Sequence, residues 1–179
     1  MHIYPPPITE RKIRFALVGC GRISKNHFDS IKQHAENAEL VGVCDIDAKA
    51  LEAAVAYTGA KPYADLNDLL AGTDADVVIL TTPSGLHPEQ AITIAKTGRH
   101  VVTEKPMATR WHDGLRMVKA CDDAGVRLFV VKQNRRNATL QLLKRAVEKK
   151  RFGRIYMVNV NVFWTRPQAY YDSAAWRDK

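Results

Sequence analysis

Ile13-Arg14-Phe15-Ala16-Leu17-Val18-Gly19-Cys20-Gly21-Arg22-Ile23-Ser24 reads as three pieces in succession. Ile13 to Val18 is a largely apolar strand, Gly19-Cys20-Gly21 breaks it, and a helix follows over roughly 22–35. That order is the setting in which G-x-G-x-x-G binds a dinucleotide pyrophosphate. Gly19 allows the tight turn, Gly21 lets the main chain approach a phosphate, and the helix N-terminus, opened by Arg22 and Ile23, favours negative charge. Ser24 replaces the third glycine and is still small enough for close packing. Taken alone, the stretch also suits an ordinary tight turn, so the elements beyond it decide.

Those elements repeat the pattern. Leu40 to Cys44 is a second strand, with Asp47 as N-cap of an alanine-rich helix that stops near Gly59. A short strand over Lys61 to Ala64 precedes a small helix through Leu66, Leu69 and Leu70. Val77-Val78-Ile79-Leu80 is uninterrupted and apolar, as suits a parallel strand buried on both faces. A helix from about Pro88 to Thr97, a strand over His100 to Thr103, a helix from about Arg110 to Ala124 and a strand over Arg127 to Val131 complete the series. Strands alternating with helices imply parallel βαβ units, and so a doubly wound α/β sheet of the Rossmann type. After Asn134 the pattern changes to a basic helix with Leu140, Leu143 and Val147 on one face, ended at Phe152-Gly153. Ile155 to Trp164 then alternates strictly, as expected of a half-buried antiparallel strand. The expected organisation is an arm over 1–12, a dinucleotide-binding domain over 13–134, and the first helix and strand of an α+β second domain over 135–179.

Asp45 ends the second strand, near the ~20-residue spacing beyond the glycine turn at which a carboxylate binds ribose hydroxyls. Its charge would repel a 2′-phosphate, which favours NAD over NADP; the alternative role as helix cap falls better to Asp47. Thr82-Pro83 and Glu104-Lys105-Pro106 end two further strands, where ligands of open α/β sheets sit. Lys105 is either a surface ion pair with Glu104 or a donor to a reacting oxygen. His87 is either a cofactor-side contact or a plain helix-start residue, and His27, sharing a helix face with Ile23 and Ile31, reads as a packed histidine. The remaining histidines have no metal spacing, and no metal is expected. Cys20, Cys44 and Cys121 are read as buried apolar side chains.

The net charge of +8 is concentrated between Lys132 and Arg154, where nine Lys or Arg face only Glu148. Without a helix-turn-helix, zinc knuckle or aromatic-studded motif, this stretch reads as a solvated helix face and no nucleic acid is expected as partner. No apolar run approaches the ~20 residues of a membrane span and Met1 to Ile13 has no signal-peptide core, so a cytoplasmic protein without a membrane partner is expected.

Gly19-Cys20-Gly21, Asp45, Thr82-Pro83…His87 and above all Glu104-Lys105-Pro106 together resemble the Gfo/Idh/MocA family of nicotinamide-dependent sugar dehydrogenases. Within it, Lys132-Gln133-Asn134-Arg135, Arg151-Phe152-Gly153-Arg154-Ile155 and Trp164-Thr165-Arg166-Pro167-Gln168-Ala169-Tyr170-Tyr171 resemble the UDP-N-acetylglucosaminuronate 3-dehydrogenases of lipopolysaccharide biosynthesis. The resemblance implies oxidation of the C3 hydroxyl of UDP-2-acetamido-2-deoxyglucuronate by NAD, with Lys105 catalytic and in contact with the sugar. It implies cofactor contacts from Gly19, Gly21, Arg22, Ile23, Asp45, Thr82, Pro83, His87, Glu104, Lys105, Gln133, Trp164 and Arg166. Asn134, Arg166 and Tyr170 join Lys105 as substrate positions, and a homo-oligomer is implied for the full-length form. Members of the family continue through a sheet domain with an Asp-Gly-Gly segment and a downstream histidine, so this chain is expected to carry mainly the cofactor-binding half. Two alternatives stand beside this reading: an inositol or aldose dehydrogenase of the same family, and a non-catalytic NAD-binding module.

Overall fold

Tyr63, Cys44, Val18, Leu80, Thr103 and Val130 are register partners at the ends of six neighbouring strands. In this computed structural model, which describes residues 5–172, the strands are β1 (Ile13–Val18), β2 (Ala38–Cys44), β3 (Lys61–Tyr63), β4 (Val77–Leu80), β5 (His100–Thr103) and β6 (Leu128–Val130). All pairings are parallel and the sheet order is β3-β2-β1-β4-β5-β6. The order reverses between β1 and β4, so the crevice of this doubly wound sheet opens at their carboxyl ends.

The helices connecting the strands are α1 (Ser24–Gln33), α2 (Ala48–Thr58), α3 (Leu66–Gly72), α4 (His87–Lys96) and α5 (Trp111–Asp123). Their ends follow local chemistry. Asp47 accepts from the Lys49 N–H at 2.9 Å and Asp65 from the Asn67 N–H at 2.7 Å, each as an N-cap, while Gly59 closes α2 in the left-handed conformation at φ 71°. Strand side chains alternate between two cores. Ala16, Val18, Val78, Leu80 and Val101 pack with Leu69 of α3, Ala91 and Ile94 of α4, and Met117 and Cys121 of α5. Leu17, Val43 and Ile79 pack with Phe28 and Ile31 of α1 and Ala54 of α2. Each fully buried Leu or Ile contributes about 1.5–3 kcal/mol, so β4, buried at every position, anchors both layers.

At the opposite end of the sheet from the crevice, Arg11 donates to Asp76 through Nη1 at 2.6 Å and Nη2 at 2.8 Å, and the Arg14 N–H donates to it at 2.8 Å. Asp76 immediately precedes β4, so this cluster ties the arm to the central strand. Arg99 similarly holds the loop after α3 through the carbonyls of Leu70, Thr73 and Ala75.

A second compact unit begins after Val131. It holds a short 3-10 turn (Gln133–Arg136), then α6 (Ala138–Glu148) and α7 (Gln168–Asp172). The strand expected over Ile155 to Trp164 is not formed. A strand is held by a neighbour's hydrogen bonds, and among the described residues no segment pairs with this one, leaving Val158, Val160 and Val162 exposed on its apolar side. α7, by contrast, has no counterpart in the sequence reading. The first four residues of the arm and the last seven of the region expected over 135–179 lie outside the described residues.

Two stability outcomes follow from these contacts. A Cβ on Gly19 would lie 2.7 Å from the Thr82 nitrogen at a φ of +95°, whereas one on Gly21 would meet nothing within 4 Å. Gly19→Ala is therefore expected to cost about 2 kcal/mol or more and Gly21→Ala less than about 1 kcal/mol in urea unfolding; equal losses would show that the contact with Thr82 yields freely. The hydrogen bond from Arg11, followed by those from Arg14, holds the Asp76 carboxyl far below the usual carboxylate range. A depressed folded pKa contributes stability that is present above the unfolded value of about 3.9 and is lost as pH falls below it. Asp76→Asn should thus cost about 2 kcal/mol at neutral pH, with the two stability curves converging under acid; curves that stay parallel would remove the carboxylate as the source.

Candidate cofactor and active site

One residue beyond the common end of the strands, the main chain continues as Gly19, Asp45, Thr81 and Glu104, and each N–H bonds to the neighbouring strand: Gly19 to Cys44 O at 2.8 Å, Asp45 to Tyr63 O at 3.2 Å, Thr81 to Val18 O at 2.9 Å and Glu104 to Leu80 O at 3.0 Å. The sequence-derived positions of the first unit are thereby gathered at one edge. The Thr81 hydroxyl strengthens the β1–β4 junction by donating to the Gly19 and Val18 carbonyls.

The glycine turn leads into α1 with Gly21 and Arg22 exposed. Among the described residues, the N–H groups of Gly21, Arg22 and Ile23 have no acceptor in the chain. Ser24 is buried and its hydroxyl donates to Gly21 O at 2.6 Å, a bond that a third glycine could not make. Free amides at a helix N-terminus, beside a glycine whose missing side chain leaves open space, fit a pyrophosphate. Cys20, between the glycines, is no nucleophile, since burial and the nearby Asp45 push its thiol up to about 12.

Asp45 is held by two turns. Its Oδ2 accepts from the Cys20 N–H at 2.6 Å and its Oδ1 from the Asp47 N–H at 2.8 Å. With Asp47 capping α2, Asp45 is left half-buried at the mouth of the crevice, with further lone pairs for ribose hydroxyls.

At the end of β4, the Thr82 hydroxyl donates to Gln90 at 2.6 Å and Pro83 is exposed. His87 is only 1% exposed. Its ring nitrogens lie 2.9 Å from Thr82 O and 3.0 Å from Pro106 O, so the ring brackets the turns after β4 and β5 and turns no nitrogen to the crevice. The expected cofactor contact at His87 is replaced by this main-chain bracket, because a buried imidazole must satisfy its polar atoms inside the protein.

Glu104 is also bonded within the chain through both carboxylate oxygens. Its Oε1 accepts from His27 Nε2 at 2.9 Å and its Oε2 from the Lys105 N–H at 3.1 Å. His27 first, and then the Lys105 N–H, hold its carboxyl below the usual range against the opposing effect of burial. Lys105 itself is exposed, and its ammonium makes no ion pair with any described residue, so the surface pair with Glu104 is not formed. His27 is the participant that sequence reasoning passed over. The signal was its place on the buried face of α1 with Ile23 and Ile31, where an imidazole needs a polar partner.

In the second unit, Gln133 and Asn134 are exposed on the 3-10 turn. The Arg166 guanidinium lies 4.0 Å from the ring of Trp164 and 4.8 Å from that of Tyr170, so these three side chains form one stacked cluster. No helix among the described residues is long and apolar enough to cross a membrane.

The WlbA dehydrogenase of Chromobacterium violaceum, solved in complex with NADH and UDP-GlcNAcA, superposes with a TM-score of 0.94 at 72% identity, covering 98% of this chain and 51% of that one. The WlbA dehydrogenase of Bordetella pertussis, in complex with the same two ligands, gives 0.93 at 71% identity, covering 97% and 52%. Inositol 2-dehydrogenase 3 of Saccharopolyspora erythraea is 30% identical over 168 residues, which are 93% of this chain and 50% of that protein. The chain thus spans about half the length of these relatives. Residues 13–132 match GFO_IDH_MocA, the oxidoreductase family with an NAD-binding Rossmann fold, and the chain belongs to that family.

Proposed function

We propose that this chain supplies the dinucleotide-binding half of an NAD-dependent dehydrogenase that oxidises the C3 hydroxyl of UDP-2-acetamido-2-deoxyglucuronate to the 3-keto sugar. The observation that carries the reading is the 72% identity, over 98% of the chain, to an enzyme crystallised with NADH and UDP-GlcNAcA. The free amides after Gly19, with Arg22 beside them, hold the pyrophosphate, and Asp45 takes the adenosine ribose hydroxyls. Thr82 and Pro83 form the wall after β4. Bound NAD supplies the hydride acceptor. Loss of hydride from C3 must be matched by loss of the hydroxyl proton, and Lys105, exposed and unpaired at the end of β5, is the group we assign to that oxygen.

Gln133, Trp164 and Arg166 are assigned to the cofactor, and Asn134, Arg166 and Tyr170 to the sugar. The Arg166 guanidinium stacks on Trp164 and Tyr170 and its Nη1 donates to Thr165 O at 3.4 Å, and its other N–H groups are assigned to a carboxylate or phosphate. The alternating stretch from Ile155 to Trp164 is proposed to pair with strands of a longer second domain, through which the protein forms a homo-oligomer. The relationship to inositol 2-dehydrogenase 3 favours a second reading, a free polyol as substrate. Turnover of UDP-linked and free sugars, compared side by side in a protein of the relatives' length, separates the two.

Calorimetric titration of the 179-residue chain with NADH and NADPH tests the cofactor assignment. NADH is expected to bind selectively, and Asp45→Ala is expected to weaken it about tenfold, the equivalent of about 1.4 kcal/mol, while narrowing the preference over NADPH. A preference unchanged by Asp45→Ala would remove the carboxylate from cofactor selection. In a protein of the relatives' length, Lys105→Met should lower kcat by about 100-fold or more, with NADH affinity held within about threefold. Turnover that survives this change would take Lys105 out of the mechanism.

A further inference from the structure

We propose that His27 is a positioning residue for Lys105, acting through Glu104. The inference deepens the proposed function, since it rests on Lys105 serving the reacting oxygen. His27 stands on α1 and Glu104 follows β5, 77 positions later, yet their side chains meet at 2.9 Å and are only 16% and 11% exposed. The second oxygen of Glu104 accepts the Lys105 N–H at 3.1 Å. The main chain of Lys105 is thus held from α1 on one side. On the other side, the Pro106 carbonyl faces the buried ring of His87, which belongs to α4. Glu104 is buried, and the lysine side chain that follows it is exposed.

The arrangement has a purpose that a satisfied core histidine would lack. A lysine on an exposed turn samples many rotamers, and a shift of about 1 Å in the group that handles the proton can cost about 100-fold in rate. Fixing the main chain on both sides of Lys105 restricts where Nζ can reach. The anchor on α1 is the more telling of the two, because α1 begins at the free amides assigned to the pyrophosphate. One rigid helix therefore carries both the phosphate-binding end and the residue that holds the Glu104-Lys105 turn, so cofactor and lysine are registered to the same element.

Amide hydrogen exchange at Lys105, followed by NMR in the 179-residue chain, tests this. His27→Leu removes the ring donor at similar volume and should speed that exchange by about tenfold; His27→Gln keeps a side-chain N–H and should restore most of the protection. In a protein of the relatives' length, His27→Leu should lower kcat by about tenfold or more while KM for both substrates stays within about threefold, with His27→Gln recovering the rate. Loss of global stability with Lys105 exchange unchanged in His27→Leu would overturn the proposal and return His27 to the core. Should His27→Leu fail to fold, the carboxyl carbon of Glu104 in the unaltered chain decides. Titration below the usual carboxylate range supports the contact, and titration within that range overturns it. An unaltered protein that neither binds NADH nor turns over would sink the dehydrogenase reading, while the exchange at Lys105 would still report where His27 acts.

Discussion

Everything at the crevice depends on how closely the main chain after β1 approaches the main chain after β4. At Gly19 the two strands come together so tightly that a single Cβ would fall 2.7 Å from the Thr82 nitrogen. The Gly19 N–H is spent on β2 and the Thr81 hydroxyl on the Gly19 carbonyl, which closes the junction from both sides. With these groups used inside the sheet and the Cys20 N–H spent on Asp45, the amides of Gly21, Arg22 and Ile23 are left without an acceptor among the described residues at the start of α1. The start of α1 suits an anion because hydrogen bonding within the sheet runs out at a helix N-terminus.

The remaining polar side chains of the edge sort by whether they are spent internally. Asp45 and Glu104 follow strand ends and His87 starts α4, and each is fixed by main-chain groups of a neighbouring turn. Asp45 is half-buried at the crevice, whereas Glu104 and His87 are buried and hold the turn around Lys105. A charged side chain with no internal partner is thereby left at the end of β5, framed by residues that cannot move with it. The second unit holds an exposed arginine stacked on Trp164 and Tyr170, a cation of the sort that reads carboxylates and phosphates.

Much of the fold was legible because its cues are local. Val77 to Leu80 announced a doubly buried strand by its unbroken apolar run, Asp47 and Gly59 marked the ends of α2, and helix limits agree with the reading to within two residues at α1, α4 and α5. β2 starts two residues earlier than its apolar run, at Ala38, because pairing with Ile13 extends the ladder past the hydrophobic signal. Candidate site positions at strand ends were legible by the same logic, since the fold class alone says where ligands of such sheets lie. The roles of His87 and Glu104 were not. Each is a buried polar group, and its partner was chosen by the packing of elements distant in sequence.

The amino-acid sequence by itself determined the elements, their caps, the glycine turn and the separation of Asp45 from the capping Asp47, because all of these rest on interactions within a few residues along the chain. Only the tertiary structure decided that His27 meets Glu104, that His87 joins the turns after β4 and β5, and that Ile155 to Trp164 has no strand partner among the described residues. A hydrogen bond across 77 positions, or a strand that needs a neighbour, is set by which surfaces come together. That choice belongs to the packed sheet and its helices, where the need to satisfy every buried polar group selects the partner.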